Sequence, residues 1–238
     1  MEEKTEELDT EKSEPIVDRI DALGVASVPF TGGTPMLRND IFEITDYVKG
    51  KGLYAKLTSN GTLPIERYEK LLQTKIHNIS ISLDGVEGDN LPYSKVGPKI
   101  IDTVQYLYLH QGTKEFYISH TLIKRNREDF PKFFRFINSN FPGLRIFVQP
   151  VVVGQGKLRC NTEEEVDFTI LKDFESFLNT NPYFLECQRY YLSENFEFGC
   201  RGRRLFFDIS PNGDFRICQD VPTKLNILDD DFFQKWKN

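Results

Sequence analysis

Four short polar stretches carry the residue types that could do chemistry if folding gathers them. The first is Thr31-Gly32-Gly33-Thr34-Pro35, which closes an apolar run at residues 25–30. Its two glycines let the backbone approach a ligand closely, and Pro35 stiffens the exit. Ser59-Asn60-Gly61-Thr62, Ser82-Leu83-Asp84-Gly85 and Lys124-Arg125-Asn126 close later apolar runs in the same way. Hydroxyl, amide, carboxylate and ammonium groups at such positions suit binding of a polar ligand. The competing reading is ordinary loop chemistry: a plain βα turn at Gly32-Gly33, and a turn cap at Ser82 and Asp84, because Asp-Gly is a common turn pair. The three histidines, His77, His110 and His120, have no evident nucleophile–base partner in the sequence. All four cysteines, Cys160, Cys187, Cys200 and Cys218, lie in the last third, and none forms a CxxC pair. Cys200 and Cys218 sit at the open ends of a hairpin signal, Leu205–Ile209 and Phe215–Ile217 around Pro211-Asn212-Gly213-Asp214. Strand pairing would bring their thiols together, which suits a metal or cluster; the alternative is two buried cysteines in a small β appendage.

The elements that must position these groups follow from periodicity. Helical spacing of Ile16, Val17, Ile20 and Leu23 predicts a helix over 13–23, capped by Thr10 or Ser13 and ended by Gly24. Strands are then expected at 25–30, 53–58, 76–83, 115–123 and 144–153, alternating with helices at 39–51, 64–73, 98–111, 127–140 and near 163–179. Each strand ends in glycine or polar residues. Such alternation reads as α/β, a parallel βα array, and in such arrays ligands bind at the carboxyl ends of the strands. Five strands are too few for a closed TIM barrel, which has eight, so a partial, open barrel is expected. From about residue 182 the pattern gives way to aromatic-rich, less regular sequence.

Bulk composition narrows the function classes. The chain has 238 residues, 39% hydrophobic and 28% charged, with a net charge of −6. That charge argues against a nucleic-acid backbone as partner. No apolar run approaches a membrane span, and the acidic amino-terminal residues do not read as a secretory signal. A cytoplasmic location is the expectation.

In order, from about Thr10 to Trp236, these stretches resemble a radical S-adenosylmethionine (radical SAM) enzyme with a SPASM/twitch-like carboxy-terminal extension. Thr31–Asp40 resembles the family's GGEP turn and following helix, Leu57–Leu63 its TNGT strand end, Ile81–Gly85 its SLDG strand end, and Lys124–Asn126 the polar end of a later strand. The Cys200–Cys218 hairpin with Leu225–Ile227 and Phe232–Trp236 resembles the entry to the extension. The resemblance implies a partial barrel over residues 1–181 and an extension over 182–238. It also implies an oxidoreductase that cleaves S-adenosylmethionine reductively to a 5′-deoxyadenosyl radical, using a [4Fe–4S] cluster held by CxxxCxxC. The substrate would be a peptide or small metabolite, and the electron donor a ferredoxin or flavodoxin. By the same resemblance Gly32, Gly33, Thr34 and Pro35 would line the methionine end of the cofactor. Ser59, Asn60, Ser82, Asp84 and Lys124 would surround its ribose and carboxylate. Cys187, Cys200 and Cys218 would serve an auxiliary iron–sulfur cluster.

Two departures from the family pattern stand out. There is no CxxxCxxC, and no cysteine precedes residue 160. Thr34 stands where the family has Glu, so a charge-assisted hydrogen bond to the cofactor's ammonium becomes a neutral one, a loss of about tenfold in affinity. Two readings follow: an enzyme sequence truncated at its amino end, or a degenerate, non-catalytic binding or scaffold relative. Pro29 cannot donate to a β-ladder and belongs on an edge strand. An exposed edge at 25–30 is expected to promote self-association.

Overall fold

The computed structural model describes residues 8–86, 97–124, 126–150, 207–217 and 225–237. Within them strand and helix alternate: α1 (Thr10–Ala22), β1 (Ser27–Phe30), a 3-10 turn (Pro35–Leu37), α2 (Ile41–Gly50), β2 (Tyr54–Ser59) and α3 (Ile65–Gln73). They continue with β3 (Asn78–Ser82), α4 (Pro98–His110), β4 (Glu115–Leu122), α5 (Phe130–Asn140) and β5 (Arg145–Pro150). The strands pair in parallel in the order β1-β2-β3-β4-β5. Consecutive parallel neighbours joined by helices are the winding of a βα barrel left open. The helix expected near 163–179 and the end of the strand expected to reach 153 lie outside the described residues.

Two-residue alternation along the strands decides which face is core. Ala55 and Leu57, Ile79 and Ile81, Phe116 and Ile118, Ile146 and Val148 lie in register on one face. They pack with Val17, Ile20, Ile41, Val48, Tyr68, Leu71, Val104, Leu107, Phe130 and Phe134 of the helices. Burying each such aliphatic side chain contributes about 1.5–3 kcal/mol. The opposite, concave face carries Lys56, Thr58, Ser80, Ser82, Tyr117, Ser119, Thr121 and Arg145. The helix layer therefore supplies the core, and the opposite face is largely polar.

Asp9, rather than Thr10 or Ser13, caps α1: its carboxylate accepts the Lys12 backbone N–H at 2.9 Å, while Thr10 Oγ1 donates to Asp40 at 2.6 Å. A cap of this type contributes about 1 kcal/mol. Gly24 leaves the helix at φ +74°, as its position past the last apolar residue suggests. Among the described residues β1 pairs only with β2. The Ala26 carbonyl accepts from Tyr54 N–H. By alternation, the position of Pro29 that lacks an N–H then faces the other, unpaired edge. That edge opens onto a groove of about 430 Å³ lined by Ile16, Ile20, Val28, Phe30, Phe207 and Ile209.

A small antiparallel sheet, in the order β6 (Asp208–Ile209), β7 (Asp214–Arg216), β8 (Leu225–Asn226), follows, with a short helix α6 (Phe232–Lys237). The hairpin forms where Pro211-Asn212-Gly213 signals it, with Gly213 at φ +87°. Asn226 braces the turn by donating to the Asn212 carbonyl at 3.1 Å. Phe215 and Phe232 are fully buried, with Trp236 packed edge-on against Phe215. Arg19 of α1 ties this unit to the barrel, donating to the carbonyls of Ile227 and Asp229.

Candidate functional site

The glycine turn joins β1 to the 3-10 turn. Gly32 adopts φ +89°, a conformation that other residues reach only at a cost, whereas Gly33 does not require positive φ. A Cβ at either position would meet nothing within 4 Å. This open cradle is the kind of space into which a ligand's polar end can come close to backbone. The turn is held from behind. Pro35 opens the 3-10 turn, the Leu37 and Arg38 N–H groups bond back to the Thr34 and Pro35 carbonyls, and Met36 is fully buried. The Arg67 guanidinium donates to the carbonyls of Met36 and Arg38 and lies 4.7 Å from the Phe42 ring. Beside it, the Arg38 guanidinium holds the Asp40 carboxyl down to about 2.

The structure gathers the expected residues into two groups. In the first, Asn60 Nδ2 donates to Thr34 Oγ1 at 3.3 Å, so the ends of β1 and β2 touch. Asn60 Oδ1 accepts from the backbone N–H and hydroxyl of Thr62, which fixes the amide's orientation. Gly61 follows at φ +75°, pressed against Ile81 and Ile100, and its carbonyl accepts from Thr103 Oγ1 at 2.9 Å. In the second group, Asp84 Oδ1 accepts the Thr121 backbone N–H at 2.8 Å, coupling the ends of β3 and β4. Ser82 lies one step lower, in register with Ser119 on the concave face.

Two of the expected residues stand apart. Ser59 is buried on the helix side, where its hydroxyl shares a hydrogen bond with Tyr68 Oη at 3.0 Å. The alternation that puts Thr58 on the concave face turns Ser59 away from it. Lys124 is exposed at the rim. Cys187, Cys200 and Cys218, with Cys160, lie outside the described residues, as does Arg125.

Sequence reasoning singled out Lys124 in the stretch Lys124-Arg125-Asn126 and missed the part played by Asn126. It is 2% exposed; it accepts from Ile123 N–H and donates to the carbonyls of Asp84 and Thr121, closing the loop after β4. Its position two residues past Lys124 was legible only as part of a polar strand end. Also missed was the concave face below the rim. There Ser80 Oγ donates to Thr58 Oγ1 at 2.9 Å and the Lys56 ammonium lies 5.1 Å from the centre of the Tyr117 ring.

The donor set bears on which groups could be held. The described residues contain no cysteine and, among them, no cluster of three or more His, Cys, Asp and Glu that could hold a metal ion. They therefore do not supply the thiolates of a [4Fe–4S] cluster. The open glycine cradle, the Thr34–Asn60 pair and the Ser82 and Ser119 positions offer backbone, amide and hydroxyl groups that could meet a small polar ligand. No helix among the described residues is long and apolar enough to cross a membrane.

Comparison with known proteins agrees with this geometry. Fe-coproporphyrin III synthase of Methanosarcina barkeri (strain Fusaro) is 28% identical over 161 residues, which are 66% of this chain and 40% of that protein. Streptococcus suis SuiB bound to S-adenosylmethionine superposes with a TM-score of 0.76 at 20% identity, covering 100% of this chain and 60% of SuiB. SuiB bound to precursor peptide SuiA gives 0.73 at 20% identity, covering 99% of this chain and 59% of SuiB. At these identities the likeness to SuiB is one of fold. The chain spans 40% of the length of the synthase that it matches. The sequence profile of the Radical SAM superfamily matches residues 1–137, a span that holds the glycine turn and strands β1 to β4. The chain belongs to the radical SAM superfamily.

Proposed function

We propose that this chain is the S-adenosylmethionine-binding barrel of a radical SAM oxidoreductase, with a peptide or small metabolite as substrate. The observation that carries the reading is the Asn60–Thr34 contact beside the open Gly32-Gly33 cradle, at the carboxyl ends of β1 and β2. Backbone at Gly32 and Gly33 would approach the cofactor's amino end, and the Thr34 hydroxyl would accept one hydrogen bond from it. Asn60, oriented by Thr62, and Ser82 would meet the hydroxyl-bearing part, while Asp84 and Asn126 hold the β3–β4 rim in place. When bound beside an iron–sulfur cluster, S-adenosylmethionine supplies a 5′-deoxyadenosyl radical, with electrons from a ferredoxin or flavodoxin. Cys187, Cys200 and Cys218 are proposed for an auxiliary iron–sulfur cluster in the extension. Isothermal titration of the purified chain with S-adenosylmethionine tests the binding: saturable binding that weakens in Gly33→Leu is expected, and no heat with a folded wild-type chain overturns it.

A second reading is favoured by Thr34, a neutral acceptor at the glycine turn. Here the chain is a non-catalytic relative that retains the barrel face as a binding or scaffold module. Anaerobic reconstitution with iron and sulfide separates the two. 5′-Deoxyadenosine formed under reducing conditions supports the oxidoreductase and overturns the scaffold.

A further inference from the structure

The concave face below the rim has a cation with no counter-ion among the described residues. Lys56, half-buried, is mid-strand in β2, beside Pro29 of β1 and Asn78 of β3 in the register. Among the described residues no carboxylate forms an ion pair with it; its ammonium rests over the Tyr117 ring at 5.1 Å. The nearest carboxylate in its row, Glu115, is two strands away. That group is already engaged, accepting from Tyr54 Oη at 2.9 Å and Asn78 Nδ2 at 3.0 Å, with the Arg145 charge nearby. One step above Lys56 toward the rim lie the Thr58 and Ser80 hydroxyls, joined to each other at 2.9 Å. A half-buried lysine whose ammonium lies over an aromatic ring, on the same face as two hydroxyls, is a ready anion site.

We propose that this face receives a carboxylate of the substrate and that Lys56 is the residue that reads it, with Tyr117 holding the ammonium in place. The proposal rests on the reading above, in which the barrel takes a peptide or small metabolite, and narrows that substrate to a carboxylate-bearing one. Two sources share this chemistry: an acidic side chain of a peptide and a propionate-type group of a small molecule.

Fluorescence binding assays on the full chain distinguish them. One arm compares a labelled glutamate-containing pentapeptide with its glutamine counterpart. The other compares mesoporphyrin IX with its dimethyl ester. The expected result is a preference of about tenfold for the acid over its neutral form in one arm. That preference disappears in Lys56→Gln and persists in Lys56→Arg, which keeps the charge. Equal affinity for acid and neutral forms in both arms, absence of binding in both, or a preference retained by a folded Lys56→Gln overturns the proposal. Titration of the wild-type chain with S-adenosylmethionine is separate. Failure there with an intact acid preference rejects the cofactor reading and leaves the Lys56 site standing.

Discussion

Replacing Gly61 with Ala should destabilise the chain more than any other single-methyl insertion at the rim. At φ +75° an L-residue costs about 1–2 kcal/mol. The added Cβ would sit 2.6 Å from Ile100 Cγ2 and 3.0 Å from Ile81 Cγ2. Both isoleucines are core residues, at 3% and 0% exposure, so neither can swing into solvent. Overpacking of this kind costs about 1–3 kcal/mol. The sum, about 2–5 kcal/mol, corresponds to a fall in melting temperature of roughly 5–15 °C for a chain of this size. Gly32→Ala is the control: its φ of +89° brings the same backbone cost, but no atom lies within 4 Å of the new methyl. Urea unfolding followed by far-ultraviolet circular dichroism measures both. The difference between the two variants isolates packing against Ile81 and Ile100. A difference below about 0.5 kcal/mol would refute the tight seating of the β2 end on α4.

Further tests address the site and its support. Gly33→Leu, at a position without positive φ and with open space around it, should leave stability within about 0.5 kcal/mol while weakening S-adenosylmethionine binding in calorimetry. Thr34→Glu should raise S-adenosylmethionine affinity about tenfold by restoring a charge-assisted hydrogen bond; unchanged affinity would place the cofactor's ammonium elsewhere. Asp84→Ala removes the acceptor for Thr121 N–H and should cost about 1–3 kcal/mol, whereas Asp84→Asn, which keeps an acceptor, should cost less; thermal melts compare them. His120 is fully buried between Phe130 and Phe133, with Nδ1–H donating to the Leu83 carbonyl and Nε2 without a partner among the described residues. Burial pushes its pKa down to about 4 from 6.5. The unfolded chain takes up a proton below about pH 6.5 that the folded chain refuses until about pH 4. Stability is therefore full above pH 6.5 and declines through that window by up to about 3 kcal/mol. Urea titrations at pH 7 and pH 4.5 should show this decline in the wild type and a smaller one in His120→Phe.

The order of strands and helices was legible because apolar periodicity records burial locally: β2, β4, α3 and α4 all fall within a residue or two of their expected spans. The glycine turn, the Asn60 and Asp84 strand ends and the hairpin at Pro211-Asn212-Gly213 were legible for the same reason, since turn chemistry is written in adjacent residues. The cap of α1 was misplaced by one residue. Thr10, which could have capped, is drawn off by Asp40, thirty positions away. The short strand β8 and helix α6 carry too few residues for a periodic signal and form because Phe215, Phe232 and Trp236 pack together. Side-chain direction separates the rest. Ser59 and Thr58 are neighbours of similar chemistry, yet the strand's alternation sends one to Tyr68 and the other to Ser80. Residue types and order were enough to identify a glycine-turn βα barrel with polar strand ends. Only the fold decided that Thr34 meets Asn60, that Asn126 closes over Asp84, and that Lys56 stands on the concave face over the Tyr117 ring, because these relations depend on pairing register between strands more than twenty residues apart.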